Sequence, residues 1–207
     1  MKVIGLTGGI ASGKSTISML LKNRGAVIID ADEIAREIMT PGKPAWRAVI
    51  ENFGRDILLD EKNIDRKKLG RIVFSDRKLL ETLNGITHPT IVREIKDRLE
   101  HYRKENAKVV VVDAALLLET GLDSLVDEVW VVAVDEKTQL KRLLNREKNM
   151  SLEEAMNRIM AQMTLDKKIK MADKIIDNSG SIEETEQQID ELWREIEQSW
   201  QKKLQQH

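Results

Sequence analysis

The sequence predicts an α/β fold, a parallel sheet flanked by helices and organised around a phosphate-binding loop. Three observations predict it. The chain opens with strand, glycine loop and helix in direct succession. Short apolar runs recur at residues 26–29, 109–112, 129–134 and 174–176, as expected of buried strands in a parallel sheet. Between them lie stretches whose apolar residues follow helical spacing.

The first element carries the chemistry. Val3, Ile4 and Leu6 form an apolar run that breaks into Gly8-Gly9-Ile10-Ala11-Ser12-Gly13-Lys14-Ser15, which fits G-x-x-x-x-G-K-[ST] at every fixed position. Ile17, Leu20 and Leu21 then start a helix. Strand, loop, helix is the context that a Walker A loop requires. Glycines let backbone N–H groups turn inward around phosphate oxygens, and the helix N-terminus adds unpaired donors and partial positive charge. Gly8, Gly9, Ala11, Ser12, Gly13, Lys14, Ser15 and Thr16 are therefore nucleotide-binding candidates. Lys14 is expected to reach the β/γ-phosphates and the Ser15 hydroxyl to ligate Mg²⁺. Thr16 is expected to face the α-phosphate.

The first helix should end near Asn23-Arg24-Gly25, with Gly25 just past its C-terminus. The strand at 26–29 ends in Asp30-Ala31-Asp32, and a helix is expected from Glu33. In an open α/β sheet, strand carboxyl ends face the ligand crevice, so these aspartates are expected near the phosphate loop. Pro41-Gly42-Lys43-Pro44 breaks the chain. Helical segments follow, marked by Trp46, Val49, Ile50 and Phe53, by Leu69, Ile72 and Val73, and by Leu79, Leu80 and Leu83. Thr87-His88-Pro89 reads as a further helix start, with Ile91, Ile95, Leu99 and Tyr102 on one face. Val109–Val112 is a buried strand running into Asp113, and Val129–Val134 is the next. Asp135 is the expected N-cap of a helix carrying Leu140, Leu143 and Leu144, broken at Asn149-Met150. Ser151-Leu-Glu-Glu154 and Ser181-Ile-Glu-Glu184 are capping boxes. The closing helix presents Ile182, Ile189, Leu192, Trp193, Ile196 and Trp200 as one stripe, and its tail beyond about 201 is expected to fray.

Composition narrows the function. The chain has 207 residues and net charge −1, which gives no global reason for a nucleic-acid or membrane partner. It has no cysteine, which excludes disulfides, cysteine zinc sites and a thiol nucleophile and suits a cytoplasmic location. No secretory leader is expected, since the first residues lack a charged-then-apolar pattern and go straight into a strand, and no apolar run comes near the roughly 18 residues of a membrane span.

Other P-loop classes fit poorly. N-K-x-D of a GTPase is absent, and Asp177–Gly180 reads D-x-x-G too late to be a switch. The L-S-G-G-Q signature of transporter ATPases is also absent. An acidic strand end, a helical insertion and a basic hairpin remain, the layout of a small-molecule kinase. That gives a P-loop core of residues 1–35, 106–136 and 170–200, a helical acceptor-binding insertion at 36–105, and a helical lid at 137–169. The alternatives are another nucleoside or nucleotide kinase, and a nucleotide-binding regulatory module.

A closer resemblance lies in particular residues. Gly5-Leu-Thr-Gly-Gly-Ile-Ala-Ser-Gly-Lys-Ser15, Asp30-Ala-Asp32 with Ala35-Arg36, His88-Pro89, Ala115-Leu-Leu-Leu-Glu119, Ala161-Gln-Met163 and Asp177-Asn-Ser-Gly180 follow one another as in dephospho-CoA kinases. The chain resembles that family over essentially its whole length. The resemblance implies transfer of the ATP γ-phosphoryl to the ribose 3′-hydroxyl of dephospho-CoA, by a cytoplasmic enzyme, expected here as a monomer, with ATP and dephospho-CoA as partners. Ala115 stands where the family usually has proline, Leu118 where it has an aromatic, and Thr164 where it often has proline.

Most of the remaining candidates have two readings. The resemblance gives Asp32 the catalytic-base position, while locally it reads as a helix cap. Asp30 is a supporting carboxylate or a strand terminus. Arg36, at i+4 from Asp32, pairs with it or grips the acceptor's phosphate. His88 hydrogen-bonds the acceptor or caps a helix, and Arg93 is a second acceptor candidate. Arg142 and Arg146 neutralise the transferring group from the lid or form a solvated basic face. Asn178 contacts adenine or its loop, or shapes a turn. Asp113 is a candidate Walker-B-like carboxylate. Trp46 packs in a core or lines the acceptor pocket. The expected catalytic set is Lys14, Asp32 and Arg142.

Overall fold

A computed structural model describes residues 1–148 and 150–204. Five strands form one sheet: β1 (Lys2–Gly8), β2 (Val27–Asp30), β3 (Val109–Asp113), β4 (Glu128–Ala133) and β5 (Lys174–Asp177), in the order β2-β3-β1-β4-β5. β1 runs parallel to both its neighbours, with Ile4 opposite Val111 of β3 and Leu6 opposite Trp130 of β4. All five residues of β3 are buried, so its valine run needs no polar face. The strand order reverses at β1, and in open α/β sheets the crevice beyond the carboxyl ends at such a switch binds ligands.

Helix α1 (Lys14–Asn23) follows the loop after β1 and buries Ile17, Leu20 and Leu21. Gly25, at φ 99°, ends it as expected and donates its N–H to Lys22 at 3.0 Å. Helices α6 (Glu136–Arg146), α7 (Leu152–Met160), α8 (Leu165–Lys170) and α9 (Ile182–Leu204) complete this part of the chain. Asp135 caps α6, and both predicted capping boxes form, Ser151 with Glu154 and Ser181 with Glu184. Of the expected break at Asn149-Met150, Asn149 lies outside the described residues and Met150 is in no helix; α6 already ends at Arg146. α9 is helical to Leu204, past the expected fraying point, and residues 205–207 are outside the description. The core joins Ile4, Leu6, Ile17, Leu21, Trp130, Ile189 and Ile196. Each fully buried aliphatic side chain of this kind contributes about 2 kcal/mol. Ile182, placed in the stripe by its spacing, is instead exposed at the start of α9.

The chain packs as two compact units, residues 1–29 with 102–207, and residues 30–101. The second holds α2 (Ala31–Glu37), α3 (Pro44–Phe53), α4 (Arg66–Ser75) and most of α5 (Arg77–Lys104). Its core is Val49, Ile57, Ile64, Leu69 and Val73, with Trp46, Phe53 and Leu83 packed against it. Two expectations are corrected here. α2 starts at Ala31 rather than Glu33, because the Asp30 carboxylate, not that of Asp32, caps it by accepting from Glu33 N at 2.9 Å. No helix begins at Thr87-His88-Pro89, since α5 runs through Pro89 for 28 residues. A helical proline removes the bond to the carbonyl four residues back. That carbonyl belongs to Gly85, which is exposed like Pro89, so water can satisfy it.

Candidate active site

The phosphate loop joins β1 to α1 where β3 and β4 flank β1. Gly13 caps α1 at φ 89° with no side chain, and no acidic residue occupies the first turn. The helix N-terminus therefore keeps its partial positive charge for a ligand. A Cβ on Gly8 would lie 2.8 Å from the Val132 carbonyl oxygen, so only glycine fits there. Ala11 holds φ 58° within a turn closed by Ser12 N to Gly9 O at 3.1 Å. Such left-handed strain costs about 1 kcal/mol and gathers at functional sites.

The loop's polar groups fit a polyphosphate and Mg²⁺. The Ser12 hydroxyl is buried and has no hydrogen-bond partner among the described residues, an orphan that a ligand would explain. Lys14 donates to the Asp113 carboxylate, which also accepts from the Ser18 hydroxyl. Asp113 is 5% exposed at the end of β3. With the exposed Ser15 hydroxyl, it supplies the hard oxygen donors that Mg²⁺ prefers beside substrate phosphates.

Arg142, half-buried on α6, approaches the loop, with Nη1 3.8 Å from a Cβ built on Gly13. Arg146 is exposed and pairs with Glu147 at 3.6 Å. Asn178 holds the loop's backbone, donating Nδ2–H to Ser12 O at 2.7 Å while its Oδ1 accepts from the Thr185 hydroxyl at 3.0 Å.

Asp32 and Arg36 lie one turn apart on α2, both exposed. Arg93 is exposed on α5. Trp46 donates its indole N–H to Lys62 O at 2.7 Å and packs on the second unit's core. His88 is half-buried on α5, and desolvation holds its imidazole below the ordinary 6.5. A folded value below the unfolded one means that the neutral ring's contribution is full above about pH 6.5 and is lost as pH falls through the folded value. His88→Gln is therefore expected to flatten the acid-side fall in urea stability between about pH 7 and pH 5. An unchanged pH dependence in the variant would contradict this assignment.

Two features escaped the sequence reading. The first is Lys168, whose side chain is 0% exposed. Its ammonium donates to Ala115 O at 2.8 Å, Thr7 Oγ1 at 3.3 Å and Glu119 Oε2 at 3.1 Å. Glu119 also accepts from Met163 N at 3.1 Å. Lysine 168 thus ties α8 to the residue preceding the phosphate loop. The three residues that differ from the pattern the sequence resembles sit in plain surroundings. Ala115 acts through its carbonyl, Leu118 is buried, and Thr164 sits at φ −60°, an angle proline also takes. Lys168→Met should cost about 3 kcal/mol, the low end for a broken buried pair because Glu119 stays 21% exposed. Thermal melting would fall by roughly 10 °C, partly recovered by adding Glu119→Gln. The second feature is a pair of glutamines, Gln139 and Gln162, bonded to Ile10 of the loop.

This loop, at the switch point of a parallel sheet and with a basic helix over it, defines a P-loop nucleotide-binding protein. A family model described as dephospho-CoA kinase matches residues 2–184. The chain belongs to the dephospho-CoA kinase family. It is 53% identical over 185 residues, 89% of both chains, to a dephospho-CoA kinase of Carboxydothermus hydrogenoformans. It is also similar to the solved dephospho-CoA kinase from Campylobacter jejuni, with TM-score 0.71 and 33% identity over 96% of this chain and 99% of that one. A shikimate kinase from Bacteroides thetaiotaomicron, at 15% identity and TM-score 0.53 over 93% and 98% of the two chains, shares the fold alone. Among the described residues no helix is long and apolar enough to cross a membrane.

Proposed function

We propose that the protein transfers the γ-phosphoryl group of ATP to the 3′-hydroxyl of dephospho-CoA, giving CoA and ADP. The phosphate loop at the carboxyl end of β1, in a chain 53% identical to a dephospho-CoA kinase, carries this reading. The acceptor oxygen forms a bond to the γ-phosphorus as the bond to the ADP oxygen breaks, and the acceptor's proton leaves the hydroxyl. Phosphoryl transfer asks the protein mainly for positioning and charge neutralisation. Lys14, the α1 N-terminus and Arg142 hold the phosphates, and Arg146 adds charge from the same helix. Ser15, with Asp113 behind it, suits Mg²⁺, which when bound neutralises charge on the phosphate oxygens. Asn178 keeps the loop in shape.

Asp32 accepts or orients the acceptor's hydroxyl proton. The capping bond from Asp30 supports this, because it assigns to another residue the structural task that Asp32 had in competition. Residues 36–105 bind the acceptor through Arg36, His88 and Arg93, and residues 137–169 act as the lid. A cytoplasmic monomer completes the reading, and a chain without cysteine suits a reducing compartment. The test is ADP release from Mg²⁺-ATP with dephospho-CoA, against nucleosides, nucleotides and sugars. Release that depends on dephospho-CoA alone is expected. Release that follows another acceptor sinks the substrate, and release with none sinks the kinase.

A further inference from the structure

Ile10 lies in the turn that forms the tip of the phosphate loop, beside the strained Ala11. Both polar groups of Ile10 are held by glutamine side chains. Gln139 Nε2 donates to Ile10 O at 2.8 Å, and Ile10 N donates to Gln162 Oε1 at 2.7 Å. Gln139 is only 9% exposed, and its Nε2 lies 2.5 Å from where a Cβ on Gly9 would stand. Neither glutamine is near the loop in sequence. Gln139 is in the first turn of α6, and Gln162 lies between α7 and α8.

We propose that Gln139 and Gln162 are positioning residues that lock the tip of the phosphate loop and couple it to the lid. A loop that binds phosphate through backbone N–H groups must hold them aimed before the ligand arrives. A turn containing a left-handed alanine does not hold itself, so bonds from outside must over-determine it. The two glutamines supply them, one as donor and one as acceptor. Gln139 does more. It stands three residues before Arg142, so the two share a face of α6. The bond that fixes Ile10 therefore also sets where Arg142 meets Gly13. Placing the lid and aiming the loop become one event.

The inference rests on the loop being the ATP site, and the test separates the two. ATP affinity is measured by calorimetry with a non-hydrolysable analogue and Mg²⁺, alongside KM, kcat and thermal melting without nucleotide. Wild type, Gln139→Met, Gln162→Met, Gln139→Glu and Gln162→Glu are compared. A carboxylate still accepts from Ile10 N but cannot donate to Ile10 O. Both glutamate variants bring the same charge to the loop, so their difference reports the direction of the bond. Expected are a roughly tenfold weaker analogue affinity and higher KM for both Met variants and for Gln139→Glu, with Gln162→Glu closer to wild type. Melting without nucleotide should move by only a few degrees, and the double Met variant should lose less than the product of the singles. Wild-type affinity in the Met variants, or equal losses in the two Glu variants, overturns the inference while leaving the kinase reading intact. Failure of wild type to bind the analogue overturns both.

Discussion

Lys14→Ala lowers kcat/KM for ATP by about three orders of magnitude, a size set by losing a fixed cation from a site of developing negative charge. The helix N-terminus and Arg142 remain, so binding of ATP weakens less than turnover. Stability changes as well, because Asp113 is buried and loses the ammonium it accepts from. The Ser18 hydroxyl still donates to it, which limits the loss to a few degrees of melting temperature. Steady-state ADP release at saturating acceptor, with circular dichroism on the same samples, checks both parts. Turnover within tenfold of wild type would remove Lys14 from the chemistry.

Asp32→Asn is the second large effect. It should lower kcat by about 10²–10⁴, the range for a lost general base, and leave ATP affinity within about twofold. Stability should hold within about 0.5 kcal/mol, since Asp32 is exposed and the α2 cap is Asp30. Asp30→Ala is the matching control, costing about 1 kcal/mol of stability through the lost cap. Lost ATP binding with unimpaired turnover per bound complex in Asp32→Asn would reverse the division of labour between Lys14 and Asp32.

The parts legible in the sequence are those whose cause is local. The loop, the strands at 109–113 and 128–133, and the caps at Asp135, Ser151 and Ser181 each follow from residues within a turn or two. The helix boundary at Ala31 was missed because two aspartates compete for one cap and only geometry chooses. Continuity of α5 was missed because Pro89 looks like a start, and nothing local says that Gly85, whose carbonyl loses its partner, is exposed. Lys168 reads as one of a basic run, Lys167-Lys168-Ile169-Lys170, that belongs on a helix surface. Its partners Thr7, Ala115 and Glu119 come from far along the chain. Gln139 and Gln162 were hidden for the same reason, although Gln162 sits inside Ala161-Gln-Met163, a motif that gave the resemblance without a role.

The most direct measurement is the identity of the product. The protein is incubated with Mg²⁺-ATP and dephospho-CoA, and phosphorus NMR with mass spectrometry follows both substrates. The account predicts ADP and CoA in equal amounts, with a new phosphomonoester on the ribose 3′-oxygen. ADP without a new phosphomonoester, or a phosphate on any other oxygen, would contradict it.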